Sequence, residues 1–256
     1  MCTLTWRVTP SGYQILFNRD EQKTRSIALP PQAFSKQDSV ALMPIDPDGQ
    51  GTWVATNNHG LSLCLLNFYQ GQTPSSAKQS RGQLVRQLAY CQNYSQVVEQ
   101  LTTINWSDYP PFSLLIFDPE KLTPNCQIPA IIWGGLEVLQ REQSSPITSS
   151  SLEFEQVQAA RLAHFNHQAK HRIKHQTKHQ TQPSFSQLQD YHKSHSPQAG
   201  AHSVCMHRDD AQTVSLTMIN VDANRITMDY QPGSPCQSQA IHSLTEPRII
   251  KTEIPA

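Results

Sequence analysis

The stretch MCTLTWRVTPSGYQILFNRDEQ, residues 1–22, decides how the rest of the chain is read. Cys2 to Val8 alternates weakly and is rich in Thr, Leu and Trp, Pro10-Ser11-Gly12 marks a turn, and Tyr13 to Phe17 is a second short apolar run. Together these predict a β-hairpin that opens the fold. A cysteine stands directly behind the initiator Met, and the polar cluster Asn18-Arg19-Asp20-Glu21 closes the second strand. If Met1 is removed, Cys2 carries a free α-amine of ordinary pKa about 7.7–8 close to its own thiol. Nucleophile and proton acceptor then come from one residue. A hairpin that pairs these strands brings the Arg19 guanidinium and the Asp20 carboxylate near the chain start. An adjacent arginine favours the thiolate, and a carboxylate can orient the amine.

Working outward, Asp46 to Gly51 is a loop, Thr52 to Thr56 a strand, Asn57 to Gly60 a tight turn, and Leu61 to Phe68 a buried strand that delivers Asn67 at its end. An amide there can offer its NH₂ to an oxyanion. Ser80 caps a predicted helix from Arg81 to about Tyr90, with Leu84, Val85 and Leu88 at helical spacing. A second helix is predicted from Ser95 to Ile104, strands at 113–117 and 128–133, and a long polar helix from Glu153 to about Lys178. Residues 180–200, rich in Gln, Ser, His and Pro, read as a loop. Strands return at 203–206, 213–221 and 225–230, and the last twenty residues read as irregular. The order of elements predicts a layered α+β domain without strict βαβ alternation.

The motifs MCT at 1–3, NRDE at 18–21, GTWVATNNHGLSLCLLN at 51–67 and SRGQLV at 80–85 resemble the NRDE family, also called the transport and Golgi organisation protein 2 family. The resemblance is strong over residues 1–90 and extends to about 230. That family is similar to N-terminal nucleophile hydrolases of the penicillin V acylase and bile salt hydrolase group, in which TNNHGLSLCLLNF at 56–68 has a counterpart resembling NEKGLGVAGLNF. The resemblance implies a four-layer αββα sandwich over a single domain, 1–256, with a His/Gln-rich polar insertion at about 164–202. It implies Cys2 as nucleophile, Arg19 and Asp20 as its supporting pair and Asn67 at the oxyanion. Asn18, Glu21, Trp53 and Ser149 are expected around the substrate. The implied activity is hydrolysis of a non-peptide amide C–N bond. Relatives linked to Golgi organisation and to haem or acyl-lipid handling imply the alternative, a carrier that binds such a ligand without cleaving it.

Two departures matter. The acylases separate their Arg and Asp by two residues, whereas here they are adjacent, and adjacent strand side chains point to opposite faces. Glu21 shares the face of Arg19 and could replace Asp20. An acylase Asn in a segment like TNSP corresponds here to Ser149 of ITSSS, 147–151, and a late acylase Arg has no match.

Nine of the eleven histidines lie between His164 and His207. His167, His171, His175 and His179 recur every four residues, one turn after His164, close enough for two to share a metal ion. Lys170, Lys174 and Lys178 would repel a cation, and a solvated helix face is the competing reading. His207 either lines the site or is a satisfied core residue. No metal or other cofactor is expected. The 20 basic and 20 acidic residues balance to zero net charge, which forecasts neither nucleic acid nor an anionic membrane surface as partner. No run approaches the roughly 20 apolar residues of a membrane span, and no signal peptide is expected at the start. Six scattered cysteines without a CxxC pair read as reduced thiols of a cytoplasmic protein.

Overall fold

In a computed structural model, residues 1–123, 125–171, 182–237 and 240–250 are described, the side chains of 169–171 excepted. The hairpin at the start is β1 (Cys2–Thr9) and β2 (Gly12–Gln22). There follow β3 (Leu29–Lys36), β4 (Ser39–Ile45), β5 (Val54–Asn57) and β6 (Ser62–Asn67), then the helices α1 (Arg81–Leu88) and α2 (Tyr94–Thr102). Next come β7 (Phe112–Phe117), β8 (Ile128–Trp133), β9 (Val138–Gln143) and β10 (Ile147–Ser149). The helices α3 (Phe154–His171) and α4 (Phe185–Lys193) precede β11 (Ala211–Val221), β12 (Arg225–Pro232) and β13 (His242–Pro247).

The strands form two antiparallel sheets, ordered β10-β1-β2-β11-β12-β13 and β3-β4-β5-β6-β7-β8-β9. Each has one face on the other sheet and one face on helices. Leu4, Trp6, Tyr13, Ile15 and Phe17 of the first sheet meet Leu42, Val54, Cys64, Leu115 and Phe117 of the second in the central core. The opposite face of the first sheet carries Leu16, Leu216 and Met218 against Phe165 of α3 and Leu188 and Tyr191 of α4. The outer face of the second sheet carries Ala55, Leu63 and Leu65 against Leu84, Val85 and Leu88 of α1 and Val97 and Leu101 of α2. The architecture is the expected four-layer αββα sandwich. Because side chains alternate along a strand, even positions of β1 and odd positions of β2 face the central layer, and the others face α3 and α4.

The local sequence explains why the second sheet holds its shape beside the chain start. Asn57 donates to the carbonyls of Ala89 (2.9 Å) and Cys91 (2.7 Å) just past α1, and its Oδ1 accepts from the backbone of His59 and Leu61. One side chain thereby fixes both a turn and a helix end. Gly60 closes that turn at φ +83, a conformation that favours glycine. Gly51 passes so near the start of α1 that a Cβ there would lie 2.2 Å from the backbone of Gly82, and the Thr52 amide donates to the Gly82 carbonyl at 3.0 Å.

Three expectations change. The stretch 180–200 contains α4: Ser184 and Gln187 form a reciprocal capping box, and the apolar positions Leu188 and Tyr191, three apart, are buried among polar neighbours that hide the pattern. The final residues include β13, paired along β12 from Arg225↔Pro247 to Tyr230↔His242. Residues 203–206 form no strand; only His207 bridges to Gln212. Among the described residues no helix is long and apolar enough to cross a membrane.

Candidate active site

Register places the key residues. Cys2 stands opposite Arg19 on β2 and opposite Ser149 on β10, so the thiol and the guanidinium share the face turned to the second sheet. They open on a cleft of about 190 Å³, lined also by Glu21, Arg25, Asp46, Trp53, Leu65, Asn67, Tyr69 and Arg81.

Arg19 is the hub of this cleft. Its guanidinium lies 4.4 Å from the centre of the Trp53 ring, a cation–π contact. Its Nη2 is 3.2 Å from Glu21 Oε2 and 3.4 Å from Asp46 Oδ2. Asp46 also pairs with Arg25 at 2.5 Å. The arginine side chain is only 6% exposed, so its position is set by packing on the indole and by two carboxylates. Asn67, at the end of β6, donates to the Tyr69 hydroxyl at 2.9 Å, which leaves its second amide hydrogen for a ligand. The Arg81 guanidinium donates to the Pro111 carbonyl at 2.9 Å from the first turn of α1. The Trp53 indole N–H is buried and has no hydrogen-bond partner among the described residues.

Burial pushes the Cys2 thiol above its ordinary pKa. The positive chain start and Arg19 pull it back down, while the Asp20 carboxylate opposes them. Met1 extends the hairpin by one pair: its carbonyl accepts from the Asp20 amide at 2.9 Å. Its side chain packs on Met206 and Ala211 and takes a hydrogen bond from Ser150 Oγ.

The tetrapeptide at 18–21 splits between two faces, as strand alternation requires. Arg19 and Glu21 face the cleft. Asn18 and Asp20 face the helices. Asn18 donates to the carbonyls of His192 (2.9 Å) and Val204 (3.1 Å), tying the end of α4 to the sheet. The Asp20 carboxylate is fully buried, accepts from Thr213 Oγ1 at 2.6 Å and lies 3.5 Å from the equally buried Arg161. Arg161 also donates to Thr3 Oγ1 and to the Ala201 carbonyl. Thus Cys2, Arg19, Glu21, Trp53 and Asn67 are brought together around the cleft, Asp20 borders it with its carboxylate turned to Thr213 and Arg161, and Asn18 is turned away. Ser149 is buried beside Cys2 in register, its hydroxyl without a hydrogen-bond partner among the described residues, and does not line the cleft. The sequence reading missed Asp46, Arg25, Arg81 and Tyr69 as cleft residues, and Arg161 as the partner of Asp20. The Asp46–Gly51 loop was legible as a loop, but nothing in one sequence says that it folds over Arg19.

Among the described residues no histidine lines the cleft. Its carboxylates Glu21 and Asp46 are held by arginines. Of the predicted histidine ladder, His175 and His179 lie outside the described residues, as does the side chain of His171. His164 stacks on Tyr191, with ring centres 5.5 Å apart, and burial lowers its pKa. Four residues with metal-ligand chemistry do converge, His195, Cys205, His207 and Cys236, but away from the cleft.

The sequence profile of the Transport and Golgi organisation 2 family matches residues 1–240. The chain belongs to this family. No curated protein sequence matches it at a significant level. Among solved structures it is similar to a cysteine-to-alanine mutant of the conjugated bile acid hydrolase from Clostridium perfringens, with 12% identity, TM-score 0.54, and 98% of this chain and 97% of that chain covered. An arginine-to-leucine variant of the same hydrolase matches with 10% identity, TM-score 0.53 and 98% of each chain. The Caenorhabditis elegans orthologue of N-acylethanolamine-hydrolyzing acid amidase matches with 11% identity, TM-score 0.56, and 86% and 92% coverage. At such identities the likeness concerns the fold, and it agrees with the sandwich described above.

Proposed function

We propose that this member of the Transport and Golgi organisation 2 family acts, once Met1 is removed, as an N-terminal cysteine hydrolase of a small linear amide. The observation that carries the reading is the register Cys2↔Arg19, which sets a thiol on the first strand of an αββα sandwich, inside a polar cleft, across from a buried guanidinium. In this reading the Cys2 α-amine takes the thiol proton, and Sγ attacks the amide carbonyl carbon. The Asn67 NH₂ receives the developing oxyanion. The C–N bond then breaks, the amine leaves with the proton from the Cys2 ammonium, and water attacks the thioester to release a carboxylic acid and restore the thiol. Arg19 holds the thiolate by charge, and Glu21 and Asp46 fix Arg19. Asp20 serves the fold through Arg161 and Thr213.

The cleft, about 190 Å³, is below the roughly 300–1,000 Å³ of ordinary ligand pockets. It favours a short acyl or amide group over the broad macrocycle of haem, the carrier ligand considered from the sequence.

The test is turnover of a panel of short N-acyl amides and acyl thioesters by Met1-free protein and by its Cys2→Ala variant. Hydrolysis that the variant lacks, with a transient acyl adduct on Cys2, is expected. A ligand retained equally by both proteins, with no turnover, would move the carrier reading to first place.

A further inference from the structure

We propose that His195, Cys205, His207 and Cys236 form a structural zinc site. One ligand atom from each side chain lies within 4.8 Å of all the others. His207 Nε2 is 3.5 Å from Cys205 Sγ and 3.4 Å from Cys236 Sγ. Tetrahedral zinc with Zn–S of about 2.3 Å and Zn–N of about 2.0–2.1 Å has an S···N edge of about 3.5 Å. These two edges of the tetrahedron are therefore already at length. The His195 ring lies 5.0 Å from the His207 ring between centres, with a nitrogen inside the same 4.8 Å cluster, and is the fourth ligand.

The ligand set is two thiolates and two imidazoles, which suits a closed structural zinc site. Two thiolates neutralise the dication, so the loaded cluster carries no net charge. The backbone is prepared for it. The Cys205 amide donates to the Ser194 carbonyl at 3.0 Å, which joins the segments bearing His195 and Cys205. Cys205 and His207 are two residues apart, His207 is bridged to Gln212, and the ligand atoms of both meet in the cluster. Met206 is fully buried against Met1 and Ala211, and its amide donates to Thr213 Oγ1, which in turn donates to Asp20. Cys236 arrives from the loop after β12. Zinc would thus pin three separate segments and brace the surface on which Met1 rests. This inference stands whether or not Cys2 is a catalyst.

The site is distinct from the histidine ladder predicted from the sequence, which includes no cysteine, and that difference makes the test specific. Full-length protein is purified under reducing conditions and its metal measured by mass spectrometry. It is then stripped with chelator and titrated with Co²⁺. Cys236 and His195 are exposed, so Cys236→Ser and His195→Ala disturb no buried packing and act on the metal site alone. The expected result is about one zinc per chain, a cobalt–thiolate charge-transfer absorption with tetrahedral ligand-field intensity, and a fall in Tm on chelation. Cys236→Ser loses the thiolate absorption or drops it to about half, and His195→Ala weakens cobalt binding at least tenfold. Cobalt bound equally by wild type and variants without thiolate absorption would assign all binding to the histidines of the predicted ladder and overturn the proposal. So would a Cys205–Cys236 disulfide, mapped in peptides, that persists under reducing purification and excludes metal.

Discussion

Asp20→Asn tests whether the third residue of the 18–21 tetrapeptide serves chemistry or the fold. The carboxylate and the Arg161 guanidinium are both fully buried and 3.5 Å apart. At that distance, with an effective dielectric constant of about 20, two unit charges attract by about 5 kcal/mol. Removing one partner of a buried pair costs about 3–5 kcal/mol, because the other charge stays behind without compensation. The asparagine keeps an oxygen for the Thr213 hydroxyl, so the loss reports mainly the charge on Arg161. For a chain of this size each kcal/mol moves Tm by about 2–4 °C, and the variant should melt about 6–20 °C below wild type. Urea unfolding gives the same quantity independently. The double variant Asp20→Asn/Arg161→Met should recover at least half of the loss, since it also removes the stranded charge. A loss below about 1 kcal/mol, or a double variant no more stable than Asp20→Asn, would refute the reasoning. A stable Asp20→Asn protein that had lost amide turnover would point instead to a direct catalytic role.

His192 is buried with Nε2 2.8 Å from Thr5 Oγ1, and burial, followed by Arg161, lowers its pKa to about 3. Its folded-state pKa lies below the unfolded value of about 6.5, so its contribution is intact above pH 6.5 and is lost as pH falls from there toward about 3. Urea midpoints should decline across that window with a slope of up to about 1.4 kcal/mol per pH unit from this group. His192→Gln should flatten the decline, and an unchanged slope would contradict the assignment. Gly51→Ala drives a Cβ to 2.2 Å from the Gly82 backbone, so α1 must shift. A cost of about 1–3 kcal/mol is expected in thermal unfolding, and an unchanged Tm would show that the close approach is not needed. Arg19→Leu removes the partner of Glu21 and Asp46 and leaves the indole in place. Alkylation of Cys2 at neutral pH should slow at least tenfold while Tm changes far less than in Asp20→Asn, and an unaltered rate would remove Arg19 from the thiolate's support.

Much of this was legible in residues 1–90, because there the signals are local. Alternation in 1–22 gave the hairpin and, through it, the pairing of Cys2 with the 18–21 tetrapeptide. The same alternation already placed Glu21 rather than Asp20 on the face of Arg19, and the structure follows it. Asn57 and Gly60 read correctly as a turn, although the bonds from Asn57 to Ala89 and Cys91 needed the third dimension. What stayed hidden depends on contacts distant in sequence. Arg161 is one charged residue on a polar helix, and nothing near it announces a buried partner 141 positions earlier. The α4 core positions were masked by Gln, Ser and His, although the Ser184–Gln187 capping box was available as a signal. Cys205 and His207 have strand spacing, but His195 and Cys236 join them only through the fold. The histidine ladder drew attention to regular spacing on one helix, whereas the cluster that assembles draws on three segments.

The most direct test of the central claim is peptide-mapped alkylation of the protein as isolated, using a brief pulse of iodoacetamide near neutral pH after the intact mass has been measured. The account predicts that Met1 is absent and that Cys2 is modified well ahead of the other five thiols. A chain that keeps Met1, or a Cys2 no faster than Cys126 or Cys236, would contradict it.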